Sequence, residues 1–433
     1  MDSRRGEVSR RDPRSEQGDP CGSPFFFGSR DRARGGAFPP DAAGHAAGRA
    51  AVAATLLALA AASAHGGNDA DGRRSAATAD MPATVVVADP TRLRALDCAG
   101  GHETGSFALP PGVRAVAALE PDGVAAFAAT TDRHLLRLSI PTLEPQADRT
   151  LSFDPAALAV SGGAGATVLV GGSGDRPLSA HHARTLDVAH EYRLDDGRRA
   201  TVSSIVDRPQ RSRFVVAFSD LDEIWEIDYA PDAEPVLRGL VHDYRMREAI
   251  ELPGRFTPRT FEVPGATRAL VAGAVPYEIL RIDLAGTPGI LNLNVRREIE
   301  RPSTGTLPDP ERIAAWRGGR SRGWVLADEG APALRVLDAA SWKLVAPIVV
   351  EGEVLAIKAL EDGNVLAALA LPDAISLVRL DVELRRTYEV SRGTLQGVAP
   401  YRFVPGTNGC FALVDAENRW ISGVAAPGKR PGS

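Results

Sequence analysis

"RFVVAFSDLDEIWEIDYAP", residues 213–231, sets two apolar runs around a short acidic break. Phe214, Val215, Val216, Ala217 and Phe218 follow one another with no polar residue between them. A strand with one wet face alternates apolar and polar side chains, so this run needs cover on both faces.

The same layout recurs along the chain. "VAAFAATTDRHLLRLSIPTLEP" (124–145), "TVLVGGSGDRPLSAHHARTLD" (167–187), "RALVAGAVPYEILRIDLAG" (268–286), "GWVLADEGAPALRVLDAASW" (323–342) and "NVLAALALPDAISLVRLDVEL" (364–384) share one order. Each gives an apolar strand, a small or polar turn, a second strand, and then Asp or a substitute. "TVVVADPTRL" (84–93) and "CFALVDAENRWISGVA" (410–425) are fragments of the same unit at the two ends. Asp89, Ser139, His182, Asp228, Asp283, Asp338 and Asp381 occupy the closing position. A short polar side chain there bonds the backbone just ahead and turns the chain out of the strand, so these residues read as turn-makers before catalysts. Gly162-Gly163, Pro264-Gly265, Asp362-Gly363 and Asn408-Gly409 supply turns before the first strands.

Repeats of this length, built of strands and turns without sustained helical periodicity after residue 82, predict an all-β fold, an eight-bladed β-propeller, with seven blades as the alternative count. Neighbouring blades cover both faces of each blade, which accounts for the non-alternating run.

The chain has 433 residues, 44% of them hydrophobic, which suffices for a large core. A net charge of -5, with Lys only at 343, 358 and 429, gives no reason to expect nucleic acid as a partner. Residues 1–49 are rich in Arg, Gly and Pro and read as a disordered leader. "RAAVAATLLALAAASAHGG" then carries an apolar segment at 50–64, too short for a comfortable membrane span, ending in Ala62-Ser63-Ala64. That pattern predicts a signal peptide, export to the periplasm and no stable span in the mature chain. A linker follows at 65–81, the propeller at 82–427 and a tail at 428–433. Cys98 and Cys410 remain in the mature chain. They fit either a disulfide pinning the first structural unit to the last or two buried thiols.

"ATVSSIVDRPQRSRFVVAFSDLDEIWEIDYAP" (200–231), "GRFTPRTFEVPGATRALVAGAVPYEILRIDL" (254–284) and "LRVLDAASWKLVAPIVVEGEVLAIKALEDGNVLAALAL" (334–371) resemble the d1-haem propellers. That group includes the d1 domain of cytochrome cd1 nitrite reductase and the NirF-type d1-haem biosynthesis proteins, the latter being more similar. No Cys-x-x-Cys-His occurs, so no c-type haem is attached, which separates the chain from the nitrite reductase. The resemblance implies a periplasmic protein of denitrification that binds d1 haem or a late tetrapyrrole precursor on its axis. Its partners would be that anionic tetrapyrrole and other d1-haem biosynthesis proteins or the nitrite reductase; an oxidoreductase-type maturation step is the activity implied.

Two positions depart from the family. Its His before the second repeat falls on Arg114 here, and guanidinium offers no lone pair to iron but pairs with carboxylates. A second His falls at Leu307-Pro308-Asp309-Pro310, where Asp309 stands. His102, in "CAGGHETGS", is a replacement ligand or a solvated loop residue. Arg198, Arg199 and Arg255 fall where the family sets arginines against tetrapyrrole carboxylates. His181-His182 reads as structural, and His242 with Arg245 and Arg247 as a basic cluster or a solvated run.

Standard catalytic signatures are missing: no Gly-x-Ser-x-Gly, no Gly-Lys-Ser/Thr loop and no His-Glu-x-x-His. Loss of both expected histidines leaves open a degenerate propeller acting as a cofactor-free interaction scaffold. A quinoprotein or amine-dehydrogenase-like subunit is the weaker alternative.

Overall fold

The structure, a computed structural model, describes residues 83–121, 123–162, 166–194, 197–238 and 250–424. The leader, apolar segment, linker and tail read from the sequence lie outside the described residues, as do His242, Arg245 and Arg247.

Among the described residues the chain folds as consecutive antiparallel meanders, with no α-helix. Blade 1 is Thr84–Ala88, Arg92–Asp97 and Glu103–Ala108. Blade 2 runs from Ala115–Leu119 to Pro145–Thr150, blade 3 from Pro155–Val160 to Val188–Tyr192 and blade 4 from Ala200–Arg208 to Pro258–Glu262. Blade 5 runs from Thr267–Ala272 to Arg297–Glu300, blade 6 from Ile313–Arg317 to Lys343–Val349 and blade 7 from Glu353–Ala359 to Arg386–Thr394. Blade 8 is Arg402–Pro405, Phe411–Val414 and Trp420–Val424.

The core lies between blades. Phe214, Val216 and Phe218 pack with Leu169, Leu178 and Tyr192 of blade 3. Val215 and Ala217, pointing the other way, pack with Leu270, Ile279 and Leu291 of blade 5. Each face of "FVVAF" therefore has its own core, and all five residues are fully buried. Burial of each Phe or Val contributes about 2 kcal/mol. Equivalent clusters fill the other interfaces, and one of them joins Val85, Val87 and Leu96 of blade 1 to Val404, Ala412 and Val414 of blade 8, closing the ring.

Arginine ties neighbouring blades through its forked donors. Arg208, ending the innermost strand of blade 4, donates to the carbonyls of Pro276 (3.0 Å), Gly273 (3.2 Å) and Val275 in blade 5. Arg312 bonds the carbonyls of Ala327 (2.9 Å) and Asp328 (3.1 Å) and that of Val354 in blade 7.

The turn chemistry follows the sequence reading, with two corrections. Asp338 Oδ2 accepts the Ser341 N–H at 2.9 Å, and Ser139 Oγ accepts the Glu144 N–H at 3.1 Å. Four residues after the closing position the backbone turns left-handed, at Leu143, Leu186, Trp342 and Arg385. Asp89 and Asp283 do not hold this position. The strand Pro258–Glu262 pairs with Glu223–Asp228 and completes blade 4, so the two strands of "RALVAGAVPYEILRIDLAG" are the first and second of blade 5. Asn292 closes that blade, accepting the Asn294 N–H at 2.9 Å. In blade 1 the closing residue is Asp97, which accepts the N–H groups of Ala99, Gly100 and His102.

That assignment identifies the strands at the seam. Left-handed Gly101 (φ 69°) stands four residues after Asp97, so Arg92–Asp97 and Glu103–Ala108 are a third and fourth strand. Thr84–Ala88 is then a second strand. Its bridge from Val85 to Gly406 is antiparallel, as expected for a second strand beside the innermost strand of blade 8. Blade 1 thus supplies three outer strands and blade 8 three inner ones, in two separate sheets. Among the described residues no strand is shared between the first and last blades. The seam is held instead by the Cys98–Cys410 disulfide (Cα–Cα 6.4 Å), the Thr84 N–H to Thr407 Oγ1 bond (2.8 Å) and the Arg94 to Asn418 carbonyl bond (2.8 Å).

Candidate functional site

Alternating strand direction gives the ring two faces. Blade-to-blade connections and second-to-third-strand turns lie on one, the connection face; the remaining turns lie on the other, the hairpin face. Arg114 immediately precedes the innermost strand of blade 2, Arg199 that of blade 4, and Asp309 lies just ahead of that of blade 6. These residues, with Arg198, share the connection face. His102 follows the closing turn of blade 1, and Arg255 precedes the fourth strand of blade 4, so both lie on the hairpin face. A full strand length separates His102 from Arg114.

The local contacts differ among them. Arg114 is exposed and its backbone is bonded to Thr131, while its guanidinium makes no hydrogen bond or ion pair among the described residues. Arg198 pairs with Glu223 at 3.1 Å. Arg255 stacks over the Phe256 ring at 4.6 Å. His102 is exposed, and its N–H is bound by Asp97 at 2.9 Å. Arg199 lines a cleft of about 340 Å³ between blades 2, 3 and 4, with Arg133, Arg176, Asp154, Asp175 and Ser152. Arg133 is paired with Asp154 at 2.6 Å and Arg176 with Glu191 at 3.1 Å, which leaves Arg199 the cleft's uncommitted cation among the described residues.

Three charged residues that the sequence reading did not single out, Arg268, Arg402 and Glu311, lie at the axis on the same face, and a fourth, Lys358, stands nearer the other end of its innermost strand. Arg268 is the second residue of the innermost strand of blade 5, and Arg402 the first of that of blade 8. Arg268 reaches Asp309 at 3.6 Å, and its buried Nε has no hydrogen-bond partner. Arg402 donates to Asn418 Oδ1 at 2.6 Å. Glu311 sits in the turn Pro310–Arg312 feeding blade 6, and Lys358 on the innermost strand of blade 7. Burial pushes the Glu311 carboxyl above the usual carboxylate range, against the opposing pull of Arg402 and Lys358. Burial likewise pulls the Lys358 ammonium down, Glu311 opposing and Arg402 reinforcing. Lys358 is surrounded by protein and keeps partial exposure to solvent. The available signal was a charge inside an apolar innermost strand, as in "TRALVA" and "EVLAIKA".

No imidazole joins this group among the described residues. His134 is bonded to Asp148 on the outer strand of blade 2 (2.8 Å), and His181 is buried between Ser179 and the Leu186 carbonyl. His190 packs against Tyr192 and Phe256, and His182 lies at a hairpin-face turn. Nor do three or more His, Cys, Asp or Glu side chains converge as a metal site among the described residues.

No protein-family model and no curated protein sequence matches the chain. Among solved structures, the dihydro-haem d1 dehydrogenase NirN, determined in complex with DHE, aligns with a TM-score of 0.57 at 17% identity, covering 79% of this chain and 73% of that one. BamB from Moraxella catarrhalis aligns with a TM-score of 0.50 at 10% identity, covering 78% and 93%. At these identities the likeness shows the all-β propeller fold and carries neither ligand nor activity.

Proposed function

We propose that this propeller binds an acid-bearing tetrapyrrole of the d1-haem type at the axial mouth of its connection face and takes part in d1-haem maturation, as a NirF-like protein exported to the periplasm. The observation that carries this reading is the placement of Arg114, Arg268 and Arg402 at the starts of innermost strands in three well-separated blades. A flat macrocycle with carboxylates around its edge matches cations spaced around a ring. The unpartnered Arg268 Nε is a buried donor in want of an acceptor, which fits such a ligand. Axial ligation of iron by imidazole does not fit, since no histidine stands at the mouth among the described residues. The chain's own residues therefore do the binding through ring carboxylates, whatever metal the ring carries. The similarity to NirN adds to this reading, and the disulfide suits an oxidising compartment.

The test is a titration followed by absorbance, using d1 haem and, separately, a metal-free polycarboxylate porphyrin and its methyl ester. Both acids should bind saturably and the ester should not. Arg268→Met and Arg402→Met should each weaken binding about tenfold or more, the loss of one charge-assisted pair. Equal binding of acid and ester, or none of either acid, would refute the reading. Absence of binding is the outcome favoured by the competing view, a cofactor-free interaction scaffold, which the missing imidazole supports.

A further inference from the structure

On the hairpin face, between the outer strands of blade 4 and the closing turn of blade 5, four guanidiniums gather around two buried carboxylates. Arg213 stands directly opposite Asp228 and Arg259 opposite Glu226, and Glu226 is also opposite Val215, so these side chains share the face of blade 4 that looks toward blade 5. Arg211, in the turn Pro209–Arg211, donates to Glu226 at 3.1 Å and to Asn294 of blade 5 at 2.7 Å. Arg213 donates to Glu226 and to Asp228, each at 3.0 Å, and Arg259 reaches Asp228 at 3.4 Å. Arg296, from the closing turn of blade 5, completes the group with its Nε 3.9 Å from Glu226. Four positive charges thus meet two negative ones, an excess of two.

Arg296 is the member that the fold does not need. Glu226 already accepts from Arg211 and Arg213 at Oε1, and the Arg296 guanidinium makes no hydrogen bond among the described residues. Burial makes its charge costly, as do Arg259, Arg213 and Arg211, with Glu226 opposing. In other blades the left-handed residue of the closing turn packs or bonds: Leu143 and Leu186 are buried in interblade cores, and Arg385 donates to the carbonyls of Ala346 and Pro347. Arg296 (φ 48°) does neither, and its side chain is 47% exposed. Its neighbours also have donors to offer. A guanidinium carries five N–H groups; Arg211 spends three on Glu226 and Asn294, and Arg213 two on Glu226 and Asp228.

We propose that this cluster binds a phosphate dianion, free or as a phosphomonoester, with Arg296 as its principal clamp and Arg213 and Arg211 supplying further donors. The two unmet positive charges match those of the dianion, and its several oxygens match forked donors arriving from a turn of each blade. A carboxylate or a chloride brings half the charge. The site lies on the face opposite the axial mouth, so it stands apart from tetrapyrrole binding.

The test is calorimetric titration of the full chain at pH 8 with inorganic phosphate and, separately, with O-phosphoserine, the ionic strength being held with chloride. Both should bind saturably, and the tighter of the two tells whether the free ion or an ester terminus fits better. Arg296→Met should weaken both about tenfold or more, the loss of one charge-assisted contact. In phosphate-free buffer the same variant should melt no lower than the parent, because the guanidinium it removes bonds nothing and is repelled by its neighbours. Arg296→Lys, which keeps the charge without the fork, should fall between the two. Saturable binding that Arg296→Met leaves unchanged would put the ion elsewhere and overturn the proposal, as would the lack of saturable binding by either ligand. Arg296→Met should leave the porphyrin titration as it was, and neither overturning result depends on whether a tetrapyrrole binds.

Discussion

Reducing the Cys98–Cys410 bond should weaken the seam between the first and last blades. The bond closes a loop of 312 residues between the first and last blades. Chain-entropy arithmetic for a loop of that length gives about 5–6 kcal/mol at 25 °C, the upper limit of what the cross-link contributes through the unfolded chain. For a domain of this size that corresponds to a fall in Tm of about 8 °C. The measurement is calorimetric melting of the oxidised protein, of the same protein with reductant, and of Cys98→Ala/Cys410→Ala. Wild type with reductant should melt several degrees below the oxidised form, and reductant should not move the alanine variant. The variant should melt slightly below the reduced protein, because both sulfurs are buried in the seam cluster and their loss leaves a small void. If oxidised and reduced proteins melt within about 1 °C of each other, the remaining seam contacts close the ring alone and the assignment of the join to this bond is wrong.

Asp207 is buried, accepts the Tyr229 hydroxyl at 3.0 Å, and is raised to about 7 by burial, with Tyr229 and Arg208 opposing. A carboxyl whose folded pKa lies above its unfolded value binds its proton more tightly when folded, so stability falls as pH rises from about 4 to about 7 and stays lower above. Asp207→Asn should therefore gain on wild type by up to about 4 kcal/mol at pH 8 and little at pH 4, read by urea unfolding; a gap that does not change with pH would refute this. Arg208→Met strands the carbonyls of Gly273, Val275 and Pro276 and should cost about 2–4 kcal/mol by the same assay. Phe218→Ala empties the core between blades 3 and 4 and should cost about 3–5 kcal/mol in urea, against under 1 kcal/mol for a substitution at exposed Val349. Gly101→Ala meets both the left-handed turn (φ 69°) and the Trp420 indole, 2.5 Å from the added Cβ, and a loss of about 2 kcal/mol or more in thermal melts is expected.

The fold was legible because its two strongest signals are local. An apolar run that does not alternate states that both faces are covered, and "FVVAF" divides residue by residue between two interblade cores. Closing residues were legible because a short polar side chain must sit where the chain leaves a strand. What the pattern missed was register: an apolar strand, a turn and a second strand read the same whether they are the first and second or the second and third of a blade. Blade 5 was misplaced by one strand because the hairpin Val236–Arg238 and Ile250–Leu252 delays the fourth strand of blade 4. A local motif cannot see that delay; the left-handed Arg296 four residues after Asn292 marks the true closing turn.

The axial charges were harder to read for a different reason. On middle strands a charge is buried between two neighbours at large cost unless it is paired, as Glu226 is with Arg211 and Arg213 and Arg281 with Glu298. The start of an innermost strand has the channel on its open side, so a charge is tolerated there without any function. Arg268 and Arg402, each bonded to a neighbouring oxygen, stand at such positions, so the sequence around them gives no sign of the ligand proposed for them. Lys358 is different, since it lies near the far end of its strand, enclosed by protein, with Arg402 adding to the cost of its charge. A stability argument alone would put an apolar residue or a paired arginine at that position. The residue found is one whose proton is loosened by its surroundings.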